Sequence, residues 1–266
     1  AVGYQSLYNN TTGISNIAIG YNALYTNTYG SNNVAVGRQA LSVNSTGVNN
    51  VAIGHQALFS NTTGNSNVAL GYNALYDNTI GINNTAIGLG ALYNNVSGNQ
   101  NIGIGPYALY NADGTQYNVA IGYRAMRQNT TGDFNTAIGW QALYSNTTGI
   151  RNVAMGYSAL MNNDRGRYNV GIGYRALFNN TYGSYNVAFG RYPLNANTTG
   201  SGNLAIGDSA LGNNTTGSNN IAIGCYALTN NVGNANFAVG YNAGCAITTG
   251  CCNIIIGAYA GTAGLV

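Results

Sequence analysis

Glycine recurs at a fixed interval along the chain, and this period constrains the fold more than any other feature of the sequence. We call these residues the marker glycines; they lie 17 residues apart, except for an interval of 16 between Gly224 and Gly240. They are Gly3, Gly20, Gly37, Gly54, Gly71, Gly88, Gly105, Gly122, Gly139, Gly156, Gly173, Gly190, Gly207, Gly224, Gly240 and Gly257. Self-similarity at a fixed period is typical of proteins whose coils stack and contact only their neighbours. The sequence therefore predicts a solenoid of about sixteen coils.

The residues before each marker glycine predict a β-strand. The coil consensus is N-V-A-I-G-Y-x-A-L-Y-x-N-T-T-G-x-x, and Val51-Ala52-Ile53 is a representative strand segment. A small residue between two β-branched residues is typical of a strand with period-two alternation. Since apolar residues occur on both faces, we expect burial on both sides of the strand.

The Ala-Leu-Tyr segment after the marker glycine predicts a second short strand in each coil. Ala23-Leu24-Tyr25 is an example, and the marker glycine before it permits a sharp bend or a positive φ. No segment between glycines is long enough for a convincing helix. The predicted fold is all-β, a parallel β-roll or β-solenoid, and coils about 4.8 Å apart would make a rod of roughly 75 Å. Residues 1–266 form a single repeat domain, regular over 1–224 and variant over 225–266.

Two asparagine columns predict structural ladders. The first lies four residues before the marker glycine, where stacked amides bond to the copies above and below. A second column, which includes Asn10, Asn27 and Asn44, lies where the loop begins and is suited to cap the turn. The first column comprises Asn16, Asn33, Asn50, Asn67, Asn84, Asn101, Asn118, Asn135, Asn152, Asn169, Asn186, Asn203, Asn220, Asn236 and Asn253.

The unit N-V-A-I-G-x-x-A-L resembles the head repeats of trimeric autotransporter adhesins. It is also similar to repeats in bacteriophage tail fibres and in fibre-like proteins of environmental bacteria, and the resemblance covers essentially the whole chain. It implies a left-handed parallel β-roll with three chains packed around a common axis, and a role in adhesion, receptor binding or spacing. The unit here is longer than the adhesin unit, because the N-T-T-G loop adds a small turn.

The charged residues predict that the chain is not an enzyme. All eight basic residues are Arg and all five acidic residues are Asp, which are Asp77, Asp113, Asp133, Asp164 and Asp208. The single histidine, His55, lies in a variable column, and no two carboxylates occupy equivalent positions of neighbouring coils. We therefore expect no catalytic residue, cofactor or metal site. A net charge of +3 without Lys is a poor match for a nucleic-acid-binding protein, and no apolar run of about 18 residues predicts membrane insertion.

Three side-chain patterns leave a binding role open. Aromatic residues recur directly after the marker glycine and predict either a stabilising stack or a surface for sugars or other chains. Seven of the eight arginines lie between residues 124 and 191, and they predict either an anionic-glycan patch or solubilising charge. Thr pairs such as Thr62-Thr63 raise an ice-binding alternative, although they lie in loops. The aromatic column comprises Tyr4, Tyr21, Tyr72, Tyr123, Trp140, Tyr157, Tyr174 and Tyr241, and the arginines are Arg124, Arg127, Arg151, Arg165, Arg167, Arg175 and Arg191.

Two further features bear on the compartment. Asn61 and Asn146 begin N-x-T triplets, which are glycosylation acceptors if the source organism glycosylates asparagine. All four cysteines lie near the end of the chain, and disulfides within or between chains are as well supported as free buried thiols. Disulfides would indicate an extracellular setting. The four cysteines are Cys225, Cys245, Cys251 and Cys252.

Together these patterns predict a non-enzymatic fibre, located outside the cell, on its surface or on a virion. The first hypothesis is a rigid adhesin head or tail-fibre segment that displays loops to a receptor or glycan. The alternative is a filament subunit that stacks end to end, either on its own or as the repeat section of a longer protein. A monomeric ice- or glycan-binding solenoid is the third hypothesis. The expected partners are other copies of the chain and a surface glycan or receptor, not nucleic acid.

Overall fold

A computed structural model describes residues 1–258; residues 259–266, the last of the predicted variant coils, lie outside the described residues. The chain divides into two compact units, Ala1–Phe134 and Asn135–Val266. The described residues form strands and turns, and none of them belongs to a helix that could cross a membrane.

The described residues of the two units form fifteen three-residue strands. Within each unit every strand pairs in parallel with its neighbours in sequence, and equivalent repeat positions are opposite each other, as in Ala35↔Ala52. The predicted all-β, parallel β-solenoid is therefore confirmed. The first unit contains β1 Ile17–Ile19, β2 Val34–Val36, β3 Val51–Ile53, β4 Val68–Leu70, β5 Thr85–Ile87, β6 Ile102–Ile104 and β7 Val119–Ile121. The second contains β8 Thr136–Ile138, β9 Val153–Met155, β10 Val170–Ile172, β11 Val187–Phe189, β12 Leu204–Ile206, β13 Ile221–Ile223, β14 Phe237–Val239 and β15 Ile254–Ile256.

The interior of each coil is narrow and is filled by small residues, Leu and Asn. In β3 the central Ala52 is fully buried, whereas the outward Ile53 is 38% exposed. The outward Ile17 of β1 is 51% exposed, and the same pattern of a buried centre with more exposed flanks recurs along the strands. The prediction that both strand faces are buried is therefore wrong for the single chain. Only the alanine side faces the interior.

The Ala-Leu-Tyr segment is a turn and not a second strand, so this prediction is wrong. Ala40 and Leu41 are adjacent in sequence and both fully buried, which a strand does not allow because its successive side chains point to opposite faces. The backbone solves this with left-handed residues, Gln39 at φ 57° and Leu41 at φ 50°. The segment still bonds to a neighbouring coil, because the Leu41 N–H donates to the Ala57 carbonyl oxygen at 3.0 Å.

The marker glycine makes the bend between the strand and this turn. Gly71 has a φ of +136°, and a Cβ there would lie 2.7 Å from the carbonyl oxygen of Gly88 in the next coil. The positive φ and the close backbone approach both require glycine. The strict recurrence of glycine in the sequence thus follows from the stacking distance of the coils.

Candidate functional site

The first asparagine column lies inside the coils as a hydrogen-bonded ladder. Asn67 shows the pattern: its Nδ2 donates to the Gly81 carbonyl oxygen at 2.8 Å and to Asn50 Oδ1 at 3.2 Å. Its Oδ1 accepts from the backbone N–H of Asn84 at 3.0 Å and from Asn84 Nδ2 at 3.2 Å. Each amide therefore connects three successive coils, and the same type of contact recurs within both units, as at Asn186.

The second asparagine column caps the loop and forms another ladder. Asn61 Nδ2 donates to Asn44 Oδ1 at 2.8 Å and to the Gly64 carbonyl oxygen at 3.0 Å, and the side chain is fully buried. Asn146 is equally buried, and its Nδ2 donates to the Gly149 carbonyl oxygen at 3.0 Å. Because a sugar on Nδ2 would replace an amide hydrogen in a dry interior, the folded chain is incompatible with the predicted glycosylation of Asn61 and Asn146.

The outward side of the strands carries two exposed apolar columns. Strand register places Ile53 of β3 against Leu70 of β4, and these side chains are 38% and 43% exposed. In the second unit, Met155 of β9 and Phe189 of β11 are 38% and 37% exposed at the equivalent position. We call this surface the strand face. It is a row of Val, Ile and other apolar residues, interrupted by Thr85 in the first unit and by Thr136 in the second.

Aromatic rings stack where neighbouring coils both carry them. In the column after the marker glycine, Trp140 stacks on Tyr157 with ring centroids 4.6 Å apart, and Tyr157 stacks on Tyr174 at 5.2 Å. The expected aromatic stack is thus present in part of that column. Sequence reasoning missed a second and longer stack, of the residues that follow Leu. It joins Phe59, Tyr76, Tyr93 and Tyr110 at centroid distances of 5.2, 5.0 and 5.1 Å.

A groove opens beside this second stack. Its volume is about 240 Å³, and we call it the tyrosine groove. It forms where Gly90 takes a position that holds Gln, Asn, Tyr or Arg in most other coils. The residues that line it are Tyr72, Asn73, Leu89, Gly90, Tyr93, Tyr107 and Tyr110.

The predicted arginines other than Arg167 lie over aromatic rings. The Arg127 guanidinium is 5.2 Å from the Tyr110 ring centroid, and in the second unit the Arg175 guanidinium is 4.8 Å from that of Phe178. At these distances the cation interacts with the ring quadrupole. The structure therefore shows stacking positions for these arginines rather than one line of charge.

Hydroxyl groups of the Thr-rich loops are used within the solenoid. Thr62 Oγ1 donates to the Thr79 carbonyl oxygen at 3.0 Å, and in the second unit Thr198 Oγ1 donates to the Thr215 carbonyl oxygen at 3.0 Å. These hydroxyls serve coil-to-coil bonding, which weakens the ice-binding alternative.

The titratable side chains are dispersed. His55 stacks on Tyr72 at a centroid distance of 5.1 Å. In the second unit, the Arg191 guanidinium donates hydrogen bonds to Asp208 and holds the pKa of that carboxyl below its ordinary value. Burial raises the pKa of Asp77. Among residues 1–258, no group of three His, Cys, Asp or Glu side chains is arranged to hold a metal ion.

The four cysteines all lie in the described part of the chain and are free thiols there. Cys225 and Cys245 are half-buried, whereas Cys251 and Cys252 are exposed. A hydrogen bond with Cys251 raises the pKa of the Cys252 thiol. The predicted disulfide within the chain is therefore not formed in this structure, and a disulfide between chains stays a prediction.

The stacked parallel strands and side-chain ladders define the chain as a β-solenoid repeat protein. No protein-family model matches the chain, and no curated protein matches it. The function is therefore argued from the surfaces of the solenoid itself.

Proposed function

We propose that the chain is a non-enzymatic structural and adhesive fibre protein of a cell or virion surface, whose copies associate side by side through the strand face. One observation carries this proposal: two apolar columns remain partly exposed along the strands of each unit. Only 5% of the residues are charged, so little charge opposes association. Exposed apolar patches larger than a few hundred Å² mark interaction surfaces.

The size of the strand face supports association with a second copy. Fully burying a Val or Ile side chain contributes about 1.5–3 kcal/mol, so completing the burial of a partly exposed one contributes about 0.5–1 kcal/mol. The first unit has seven strands with two outward positions each. One of these fourteen positions is Thr85, so two facing copies of that unit would cover 26 apolar side chains and gain roughly 13–26 kcal/mol, which is comparable to or larger than the about 4–15 kcal/mol lost on association.

The interior ladders support a mechanical role. Each ladder asparagine bonds to the coils before and after it, so neighbouring coils are joined by side chains as well as by strand pairing. Such a unit resists bending without needing a large core. It suits a stiff support that presents its variable loops to a receptor or glycan, and we propose three chains per assembly in keeping with the resemblance to adhesin heads.

The native mass of the full chain, measured by light scattering with and without reductant, tests this proposal. We expect three times 27.5 kDa. The double variant Ile53→Arg and Leu70→Arg places charge on two adjacent strands of the strand face and should shift the mass to 27.5 kDa. The matched control, Thr46→Arg and Thr63→Arg, adds the same charge to exposed loop positions shortly before Ile53 and Leu70 in sequence and should leave the mass unchanged.

A monomeric wild-type chain would contradict association through the strand face. So would a double variant that keeps the wild-type mass. Open-ended polymers that persist in the strand-face variant would indicate that the copies stack end to end and do not pack side by side. A mass that falls only with reductant would place the cysteines, and not the strand face, between the chains.

A further inference from the structure

The tyrosine groove exists because one side chain is missing from a regular column. Gly90 has a φ of +57°, and a Cβ added there would lie 3.3 Å from Tyr107 Cδ1 and 3.4 Å from Tyr110 Cε2. The equivalent residue of the preceding coil is Asn73, with a φ of 54°. The backbone conformation at this position thus accepts an asparagine. The space is open because Gly90 has no side chain.

The walls of the groove present aromatic rings in two orientations. Tyr93 and Tyr110 stack with an interplanar angle of 16°, whereas Tyr107 meets Tyr110 edge-on at 60° and 5.8 Å. Tyrosines combine an apolar ring with a polar hydroxyl, so such walls suit ligands that are both apolar and hydroxylated.

A polar group of the lining lacks a hydrogen-bond partner. Asn73 Oδ1 is buried and accepts no hydrogen bond. Buried polar atoms in folded proteins are nearly always paired. Because Asn73 Oδ1 is closed off from solvent, a ligand hydroxyl becomes its donor when the Asn73 side chain turns towards the groove.

From this combination we propose that the tyrosine groove binds a single pyranose ring of a glycan. One face of a pyranose consists of C–H groups that stack on aromatic rings, and its rim carries hydroxyls that donate to an amide oxygen. The volume of about 240 Å³ is below the roughly 300–1,000 Å³ of pockets for drug-sized ligands, so it matches one ring.

Two arginines next to the groove favour an acidic sugar. The Arg124 and Arg127 guanidinium groups each lie 6.0 Å from the Tyr107 ring centroid. A carboxylate on the pyranose would be attracted to this pair, which gives a uronic acid an advantage over the neutral sugar.

The second unit contains a groove formed by the same two columns, but its glycine and its unpaired asparagine both lie in the column that follows Leu. It has a volume of about 320 Å³ and lies between Tyr192 and Tyr226, where the column that follows Leu contains Gly212. Asn195 lines it, and Asn195 Oδ1 is again buried without a partner. Each unit therefore has a groove that combines tyrosine rings with a buried amide oxygen.

The test is an NMR titration of the full chain, observed through its isotope-labelled tyrosine rings, with methyl glucoside and methyl glucuronide. We expect dissociation constants on the order of millimolar, with the glucuronide binding more tightly. Gly90→Asn fills the groove with a residue that this backbone position accepts, and Tyr107→Leu removes one ring while keeping an apolar side chain. Each should weaken binding at least tenfold in the groove of the first unit. Gln56→Asn, in the same column at a φ of 52° and outside the groove, is the matched control.

Binding in the first unit is separated from binding in the second by following the Tyr93 and Tyr107 ring signals. The proposal is overturned if neither sugar shifts these signals, or if folded Gly90→Asn binds as tightly as the wild-type chain. The groove lies outside the strand face, so the titration is repeated on the Ile53→Arg and Leu70→Arg variant. The sugar titration can therefore be interpreted even if the chain does not self-associate.

Discussion

Replacing one ladder asparagine, Asn67→Ala, should measurably destabilise the first unit. The change removes the Oδ1 that accepts the buried Asn84 backbone N–H at 3.0 Å, and the structure offers that N–H no other acceptor. An unpaired buried donor costs about 1–3 kcal/mol. The Gly81 carbonyl and Asn50 Oδ1 each lose a donor but keep another, from Asn78 Nδ2 and the residue-67 backbone N–H respectively. These weaker losses bring the expected total to about 2–5 kcal/mol.

The assay is urea unfolding followed by circular dichroism, together with hydrogen exchange of the Asn84 amide. Because each coil contacts only its neighbours, we expect the largest loss of protection between β4 and β5. Thr63→Ala is the control, since this exposed side chain lies in the loop just before Asn67 and its loss should change stability by less than about 0.5 kcal/mol. If Asn67→Ala destabilises the chain by no more than the control, the ladder does not stabilise the solenoid as argued.

Three further substitutions test the bend and the two shifted carboxyl groups. Gly71→Ala should destabilise the chain by at least about 1–3 kcal/mol in urea unfolding. The φ of +136° at residue 71 is strained for alanine, and the added Cβ would meet the Gly88 carbonyl. A variant as stable as the wild-type chain would contradict this. Burial raises the pKa of Asp77, so its charged form opposes folding above that pKa; Asp77→Asn should raise the melting temperature at neutral pH but not in acid, where both states are protonated. Arg191 lowers the pKa of Asp208, so this pair stabilises the fold above the ordinary aspartate pKa, and the stabilisation is lost as pH falls through the lowered pKa. Arg191→Gln should return the Asp208 pKa towards its ordinary value in an NMR titration. An unchanged pKa would refute the contact.

The strands and their register could be predicted from the sequence because they depend on local pattern and period. A β-branched, small, β-branched triplet specifies a strand, and a constant repeat length places Val34 beside Val51 without further information. The buried asparagine column could also be predicted, since a repeated amide at one position can bond to its own copies. The direction of Ile53 could not, because an apolar residue on the outside of a single chain is indistinguishable in sequence from one in its interior.

The turn after the marker glycine was mistaken for a strand because Leu rarely adopts a left-handed conformation. Leu41 nevertheless has a φ of 50°, and its N–H is held by the carbonyl of Ala57 in the next coil. Tertiary bonding here overrides local preference. The apolar pattern does not separate the two segments, because Ala40-Leu41 in the turn and Val51-Ala52-Ile53 in the strand are both runs of consecutive apolar residues.

The candidate sugar site depends on departures from the repeat, and this explains why it could not be predicted. In the sequence, Gly90 cannot be distinguished from the many other glycines of the chain. It becomes informative only when the structure shows that its column and the column of Tyr93 face each other, as the contact between Tyr107 and Tyr110 demonstrates. Residues that repeat in every coil are fixed by stacking and can carry no specificity for a single position. Recognition by such a solenoid must therefore reside where a column is interrupted, and the interruptions that lie beside aromatic rings and unpaired amides are the positions at which a ligand should be sought.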